Sequence, residues 1–76
     1  MKELLQIIVE GLVTKPEAIE ISETQSESMT LLQLRVAKED LGRVIGKQGQ
    51  TAQSMRTILQ AVAARNNRKL VLEIVE

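Results

Sequence analysis

The sequence contains no aromatic residue, no cysteine and no histidine. Without cysteine, the chain forms no disulfide and offers no thiolate ligand to a metal ion. Without histidine, it lacks both the commonest metal ligand and the usual general base of enzymes. The only adjacent carboxylates, Glu39 and Asp40, resemble a helix cap more than an acid–base pair. We therefore expect a non-enzymatic protein that needs no metal and no cofactor.

Long hydrophobic runs are also missing. No apolar run approaches the ~20 residues that a membrane-spanning helix needs. The N-terminal segment has neither the basic start nor the small-residue cleavage site of a signal peptide. We therefore expect a cytoplasmic protein without a membrane partner. Its 76 residues are predicted to form one domain over residues 1–76, with a core thin enough to gain from a partner chain.

The net charge of the chain is zero, but its charges are unevenly distributed. Residues 1–27 carry two lysines and six glutamates, a charge of −4, whereas residues 35–69 carry eight basic and two acidic residues, a charge of +6. A basic half of this kind suggests a polyanionic partner. From charge alone, a solvated surface of mixed charge remains the simpler interpretation.

Hydrophobic periodicity predicts three helices and three strands. Apolar residues at helical spacing predict helices, and apolar residues that alternate with polar ones predict strands. The predicted helices cover residues 3–13, 41–45 and 50–66, and the predicted strands cover residues 18–23, 29–37 and 70–75. Asp40 is suited to cap the second helix, and Asn66 and Asn67 are suited to end the third. This order predicts a two-layer α+β sandwich, with a hairpin as the plausible link between the first two strands.

The loop Gly46-Lys47-Gln48-Gly49 joins the short second helix to the long third helix. Its glycines permit a tight turn and a close approach of another backbone. The N–H groups that begin the next helix, together with Lys47, favour an anion at this place. A P-loop is excluded because the spacer between Gly42 and Gly46 is one residue shorter than the motif G-x-x-x-x-G-K-[ST] requires. In addition, Gln48 stands where that motif has a serine or threonine hydroxyl. A dinucleotide-binding motif is excluded because Val44 replaces its first glycine. A bare G-x-x-G favours a simple helix–helix turn.

The context of this loop is more specific. The run from Val44 to Gly49 resembles the V-I-G-x-x-G signature of KH domains, and the elements over about residues 29–75 match the minimal βααβ KH unit. One helix and one strand precede that unit, which resembles the type II KH fold (α-β-β-α-α-β), a three-stranded sheet with three helices on one face. Residues 40–51 and 55–58 further resemble the KhpA family of small bacterial KH proteins. Ala52 departs from the larger aliphatic residue of many KH domains.

The KH resemblance implies a site for single-stranded RNA. In KH domains the G-x-x-G loop clamps the backbone of about four nucleotides beside a groove that holds their bases. Carried to this chain, the backbone contacts are Gly46, Lys47, Gln48 and Gly49, with Arg43 and Arg56 beside them and Val44 and Ile45 as one groove wall. Leu34 and Val36, or the residues alternating with them, are expected to form the other wall. Without aromatic side chains for stacking, affinity is expected to be modest.

The KhpA resemblance implies a role as an RNA chaperone or post-transcriptional regulator, linked to cell shape, elongation and division. It also implies homodimers, and heterodimers with a larger KH-containing protein. The candidate dimer surface is the apolar stripe of the third helix: Met55, Ile58, Leu59 and Val62. Two alternatives remain open. The chain is either a protein-interaction module that serves mainly as a dimerisation partner, or a binder of single-stranded DNA, because little in the loop senses a 2′-hydroxyl.

Overall fold

A computed structural model describes residues 1–76 and contains the six predicted elements in the predicted order. The helices are α1 (Lys2–Glu10), α2 (Leu41–Ile45) and α3 (Gln50–Arg65), and the strands are β1 (Glu20–Gln25), β2 (Met29–Arg35) and β3 (Lys69–Ile74). None of these helices is long and apolar enough to cross a membrane. The prediction of α2 is confirmed at both ends, and the other elements differ from their predicted bounds by one to three residues.

The largest differences lie around α1 and β1. The predicted first helix reached residue 13, but α1 ends at Glu10, because the N–H of Gly11 turns back to the carbonyl of Ile8. Pro16–Ala18 then forms a single 3₁₀ turn. Because the proline ring sets a φ suited to such a turn, the strand begins at Glu20 and not at residue 18.

The three strands form one sheet with β2 in the centre. β1 runs antiparallel to β2, which confirms the expected hairpin, and β3 runs parallel to β2. The parallel pair requires a crossover, which α2 and α3 provide. The helix-facing side of the sheet carries the buried residues Thr30, Leu32, Leu34, Leu70 and Leu72. This two-layer arrangement confirms the predicted α+β fold class.

The helices complete the core with aliphatic side chains. α1 contributes Leu5 and Val9, and α3 contributes Ala52, Met55, Leu59 and Ala63. α3 ends as predicted, because Asn67 adopts a left-handed conformation (φ 57°) just beyond the helix. The N–H of Arg68 bonds to the carbonyl of Ala63 at 3.0 Å, and the N–H of Asn67 to that of Ala64 at 3.0 Å. This pair of bonds is a Schellman motif, which directs the chain back along α3 into β3.

Arg68 joins the start of β3 to the hairpin between β1 and β2. Its Nε donates to the hydroxyl of Thr30 at 3.1 Å. Its Nη1 donates to the carbonyl of Glu27 at 3.2 Å, and its Nη2 donates to those of Ser26 at 2.8 Å and Met29 at 2.9 Å. Thr30 is buried, so Arg68 supplies a hydrogen-bond partner where water is excluded.

Asp40 also makes a long-range contact. It occupies the predicted position before α2, but the predicted capping hydrogen bond is wrong, since its carboxylate bonds to no N–H of that helix. It accepts instead from the N–H of Thr14 at 3.0 Å, the hydroxyl of Thr14 at 2.9 Å and the N–H of Lys15 at 3.0 Å. The buried carboxylate thus ties the segment after α1 to the start of α2.

Candidate nucleic-acid interface

Gly46 ends α2 in a conformation that only glycine adopts easily. Its φ is 77° and its ψ is 174°. A Cβ atom at this position would lie 2.1 Å from the hydroxyl oxygen of Thr51 and 2.8 Å from its backbone nitrogen. Both the backbone angles and the space therefore require glycine here.

Gly49 and Gln48 complete the turn in left-handed conformations. Gln48 has φ 56° and ψ 28°, and Gly49 has φ 75° and ψ 10°. A Cβ on Gly49 would meet open space, so conformation alone favours glycine there. The N–H of Gly49 donates to the carbonyl of Gly46 at 3.1 Å, which closes the turn.

The electrostatics of this loop favour a bound anion. Lys47 and Gln48 are exposed at its tip, and Lys47 makes no ion pair. α3 begins directly after Gly49, and no side chain caps its first turn. The free N–H groups and the positive end of the helix dipole therefore lie next to the loop that carries Lys47. A phosphate fits this combination of backbone donors, dipole and cation.

The two arginines predicted beside the loop have partners within the protein. Arg43 is exposed, and its Nε lies 3.6 Å from the carboxylate of Asp40. Arg56 is half-buried, and its Nε donates to the carbonyl of Leu72 at 3.3 Å. Arg56 therefore holds α3 against the edge of β3, while its remaining N–H groups stay available to an anion.

The outer edge of β3 has no neighbouring strand. The N–H of Lys69 bonds to the carbonyl of Ser28, just before β2, and the N–H of Val75 bonds to that of Leu34 in β2. The alternation of a parallel ladder therefore directs the backbone of Leu70, Leu72 and Ile74 to the open side. The Leu72 carbonyl that Arg56 contacts belongs to this set. β3 thus offers backbone donors and acceptors along one side of the interface.

A groove of about 360 Å³ lies at the C-terminal end of β3. It is lined by Val36, Leu41, Val75, Arg35, Lys38 and Glu76. Its three aliphatic side chains provide an apolar floor, and its rim carries charges of both signs, from Arg35, Lys38 and Glu76. Val36, which was suggested as part of a groove wall, is one of these lining residues, and its contact with RNA stays a prediction. Leu41 and Val75 were missed because the sequence places them on a helix and a strand without showing that these ends meet.

The structure corrects several predicted positions. Val44 is fully buried in the core, so it supports the loop from below and does not line an open wall; Leu34 is buried in the same way. Ile45 is half-buried next to the loop. On α3, Met55 and Leu59 face the sheet and are buried, whereas Ile58 is 49% exposed. Val62 is half-buried. Of these four residues, only Ile58 and Val62 can reach a partner chain.

The buried charge of Asp40 is stabilised by its surroundings. The N–H of Thr14 is the largest of the effects that hold the pKa of Asp40 below its ordinary value, assisted by the Thr14 hydroxyl, the N–H of Lys15 and the charge of Arg43. Burial opposes this shift of the pKa. The carboxylate therefore remains charged at neutral pH and holds the N-terminal end of α2, which leads to the loop. No sequence signal links Asp40 to Thr14, which lies 26 residues earlier.

The family model of the KhpA/KhpB KH domain matches residues 2–74. A Clostridium perfringens protein named RNA-binding protein KhpA is 47% identical over 75 residues, which cover 99% of this chain and 100% of that protein. Proteins of the same name from Chlamydia trachomatis and Listeria monocytogenes are 47% and 45% identical over 76 residues, covering 100% of this chain and 97% and 100% of their own.

No solved structure shows significant similarity to the chain. The family match and the relatives nevertheless extend over essentially its whole length. They include the loop at residues 46–49 and the helices on both sides of it. The chain therefore belongs to the KhpA/KhpB family of KH domains.

Proposed function

We propose that the chain binds single-stranded RNA, with the RNA backbone at the loop Gly46–Gly49. The observation that carries this proposal is the geometry of that loop, in which an unpaired Lys47 stands beside an uncapped helix start. The relatives described above are named RNA-binding proteins, which supports RNA over another polyanion. The local excess of cations in residues 35–69 agrees with a nucleic-acid ligand.

In the proposed complex, phosphates lie at the loop and bases lie toward the aliphatic groove and the edge of β3. Val36, Leu41 and Val75 contact the faces of the bases, and the free backbone groups of β3 bond to their edges. Stacking on aromatic side chains contributes ~1–3 kcal/mol per base in other proteins, and this chain has none. A single domain therefore binds with modest affinity and weak sequence preference. Such a protein suits a general RNA chaperone or a post-transcriptional regulator, including one of cell elongation and division.

The loop proposal is tested with a variant that carries both Lys47→Asp and Gln48→Asp. Both residues are exposed and both glycines stay, so the fold is preserved while two negative charges face the phosphates. We expect the affinity for a short single-stranded RNA to fall at least about tenfold, ~1.4 kcal/mol. Fluorescence titration measures the affinity. For three or four phosphates, the wild-type protein should show a slope of log affinity against log salt of roughly −2 to −3.

The matched control carries Lys2→Asp and Gln6→Asp on α1, which changes the net charge by the same amount away from the loop. This control should bind RNA like the wild type. Equal weakening in both variants would show that a diffuse basic surface binds the RNA. If the wild type itself binds no RNA, the chain is better understood as a protein-interaction module. Equal affinity for DNA of the same sequence would leave the 2′-hydroxyl without a role.

We further propose that two copies associate, or that one copy associates with a larger KH-containing protein, through the exposed part of α3. Ile58 is 49% exposed on α3, and Ile7 is 67% exposed on the neighbouring α1. Burial of these two side chains against a partner would remove apolar surface from water, which favours association. A dimer would also join two weak RNA sites and raise the overall affinity for a longer strand.

Ile58→Asp is expected to abolish this association without unfolding the chain, because about half of that side chain already contacts water. The charged carboxylate would be costly to bury in an apolar interface. Light scattering should then give a monomer mass at concentrations at which the wild type is a dimer. The control is Thr57→Asp at an exposed position one residue earlier. An unchanged mass for the Ile58 variant, together with an unchanged melting temperature, would contradict the proposed interface.

A further inference from the structure

A second cavity, of about 380 Å³, lies at the opposite end of β3 from the groove described above. It is lined by Met29, Gln60, Arg68, Lys69, Leu70 and Val71. Half of these residues are apolar, two are cations, and none is a carboxylate. The cavity therefore combines apolar surface with positive charge, although it does not include the loop.

Two exposed aliphatic side chains border this cavity. Among the large hydrophobic residues, only four are exposed, and both Met29, at 39%, and Val71, at 45%, belong to the cavity. Lys69 is exposed and makes no ion pair. Arg68 uses its side-chain donors to hold the hairpin, which keeps that wall of the cavity rigid. The Lys69 amine is thus the free cation of this cavity.

The cavity continues the line of the proposed RNA site along β3. α3 runs back along β3, and Arg56 contacts Leu72 midway. Gln60 lies about 6 Å beyond Arg56 along the helix. Leu70 lies about 7 Å beyond Leu72 along the strand, with its backbone also directed to the open edge. One strand of RNA that follows this edge from the loop therefore reaches the cavity.

We infer that this cavity is an additional subsite for the same single-stranded RNA, which holds a nucleotide beyond the about four nucleotides bound at the loop. Met29 and Val71 contact the face of the base, and the Gln60 amide supplies both a donor and an acceptor to its edge. Lys69 contacts the adjoining phosphate. This inference rests on the proposed function, because the same RNA strand must occupy the loop. The positive charge and the absence of carboxylates favour RNA over a protein strand at this edge.

The test compares a single-stranded oligouridylate of about four nucleotides with one of twice that length. Lys69→Glu should weaken binding of the longer RNA about tenfold and change binding of the shorter RNA by less than about twofold. Val71→Ser removes apolar contact without a change in charge, and it should weaken only the longer RNA, by about threefold. Both side chains are exposed, so the fold is retained. Lys2→Glu is the control for net charge and should affect neither RNA.

A longer homopolymer also offers more binding registers, but this statistical gain is equal in all variants and cancels in the comparison. Equal affinities of the wild type and both variants for the longer RNA would overturn the inference while the loop proposal stands. The inference would also be overturned if Lys69→Glu weakened the binding of both RNA lengths equally. It would likewise be overturned if a strand-forming peptide, and not RNA, bound at this edge. Failure of the wild type to bind either RNA would instead overturn the proposed function and the inference with it.

Discussion

Gly46→Ala is expected to lower the free energy of unfolding by about 2–3 kcal/mol and to weaken RNA binding at least tenfold. The residue has φ 77° and ψ 174°, which is strained for any side chain. The added Cβ would also lie 2.1 Å from the Thr51 hydroxyl oxygen and 2.8 Å from the Thr51 nitrogen. Relief requires the start of α3 to move, and that movement displaces the N–H groups proposed to hold phosphate.

The other glycines around the loop provide a graded comparison. Gly49→Ala should cost about 1–2 kcal/mol, because its left-handed conformation is unfavourable while its Cβ meets open space. Gly42 is an exposed residue of α2 with open space around its Cα. Gly42→Ala should therefore be neutral or should stabilise the chain by up to about 1 kcal/mol.

Chemical denaturation and RNA titration measure both effects in the same three variants. Thr51→Ala should not rescue Gly46→Ala, because the contact with the Thr51 backbone nitrogen remains. Equal stability of the Gly46 and Gly42 variants would show that the turn tolerates a side chain. That result would contradict the proposal that glycine at position 46 is needed to keep the start of α3 against the loop.

Arg68→Ala is expected to lower the free energy of unfolding by about 2–3 kcal/mol, or the melting temperature by about 10–20 °C for a domain of this size. The change removes four hydrogen bonds that connect the start of β3 to the hairpin. Carbonyls near the surface regain water, which limits the loss. The hydroxyl of Thr30 is buried and does not regain water, which makes the loss large.

Arg65→Ala is the matched control, since Arg65 is exposed at the end of α3 and makes no ion pair. Its substitution should change the stability by less than about 0.5 kcal/mol. Arg68→Lys should recover only a small part of the loss, because an ammonium group lacks the planar fork that reaches several acceptors at once. Thermal melts of the three variants test this order. Similar melting temperatures for the Arg65 and Arg68 alanine variants would show that the hairpin does not depend on this side chain.

The sequence predicted the neighbourhood of the loop well because its signals are local. The bounds of α2 and the start of α3 follow from glycines and from apolar spacing within a few residues. The end of α3 follows from asparagines that tolerate a left-handed conformation. By contrast, the ends of α1 and β1 depend on the 3₁₀ turn at Pro16–Ala18, which replaced the start of a predicted strand.

Residues with long-range partners were assigned less well. Asp40 looked like a helix cap because its type and position suit one, yet its partners are 25 and 26 residues away. The sequence did not distinguish Arg68 from the other seven cations of residues 35–69. In the structure, all four hydrogen bonds of its side chain reach the hairpin between β1 and β2. A helical stripe likewise does not show how wide its buried part is, so Met55 and Ile58 looked equivalent on α3 but differ in burial.

The amino-acid sequence was sufficient for the element order, the α+β class, the family and the position of the G-x-x-G loop. The element order, the class and the loop depend on short-range periodicity and on backbone angles that few residue types adopt. The family followed from the resemblance of residues 44–49 and their surroundings to the KH signature. Packing alone separated Val44 in the core from Ile45 beside the loop, and it brought Val36, Leu41 and Val75 into one groove. It also left one edge of β3 open from the loop to Lys69. Such contacts join residues far apart in the chain, so no local pattern records them.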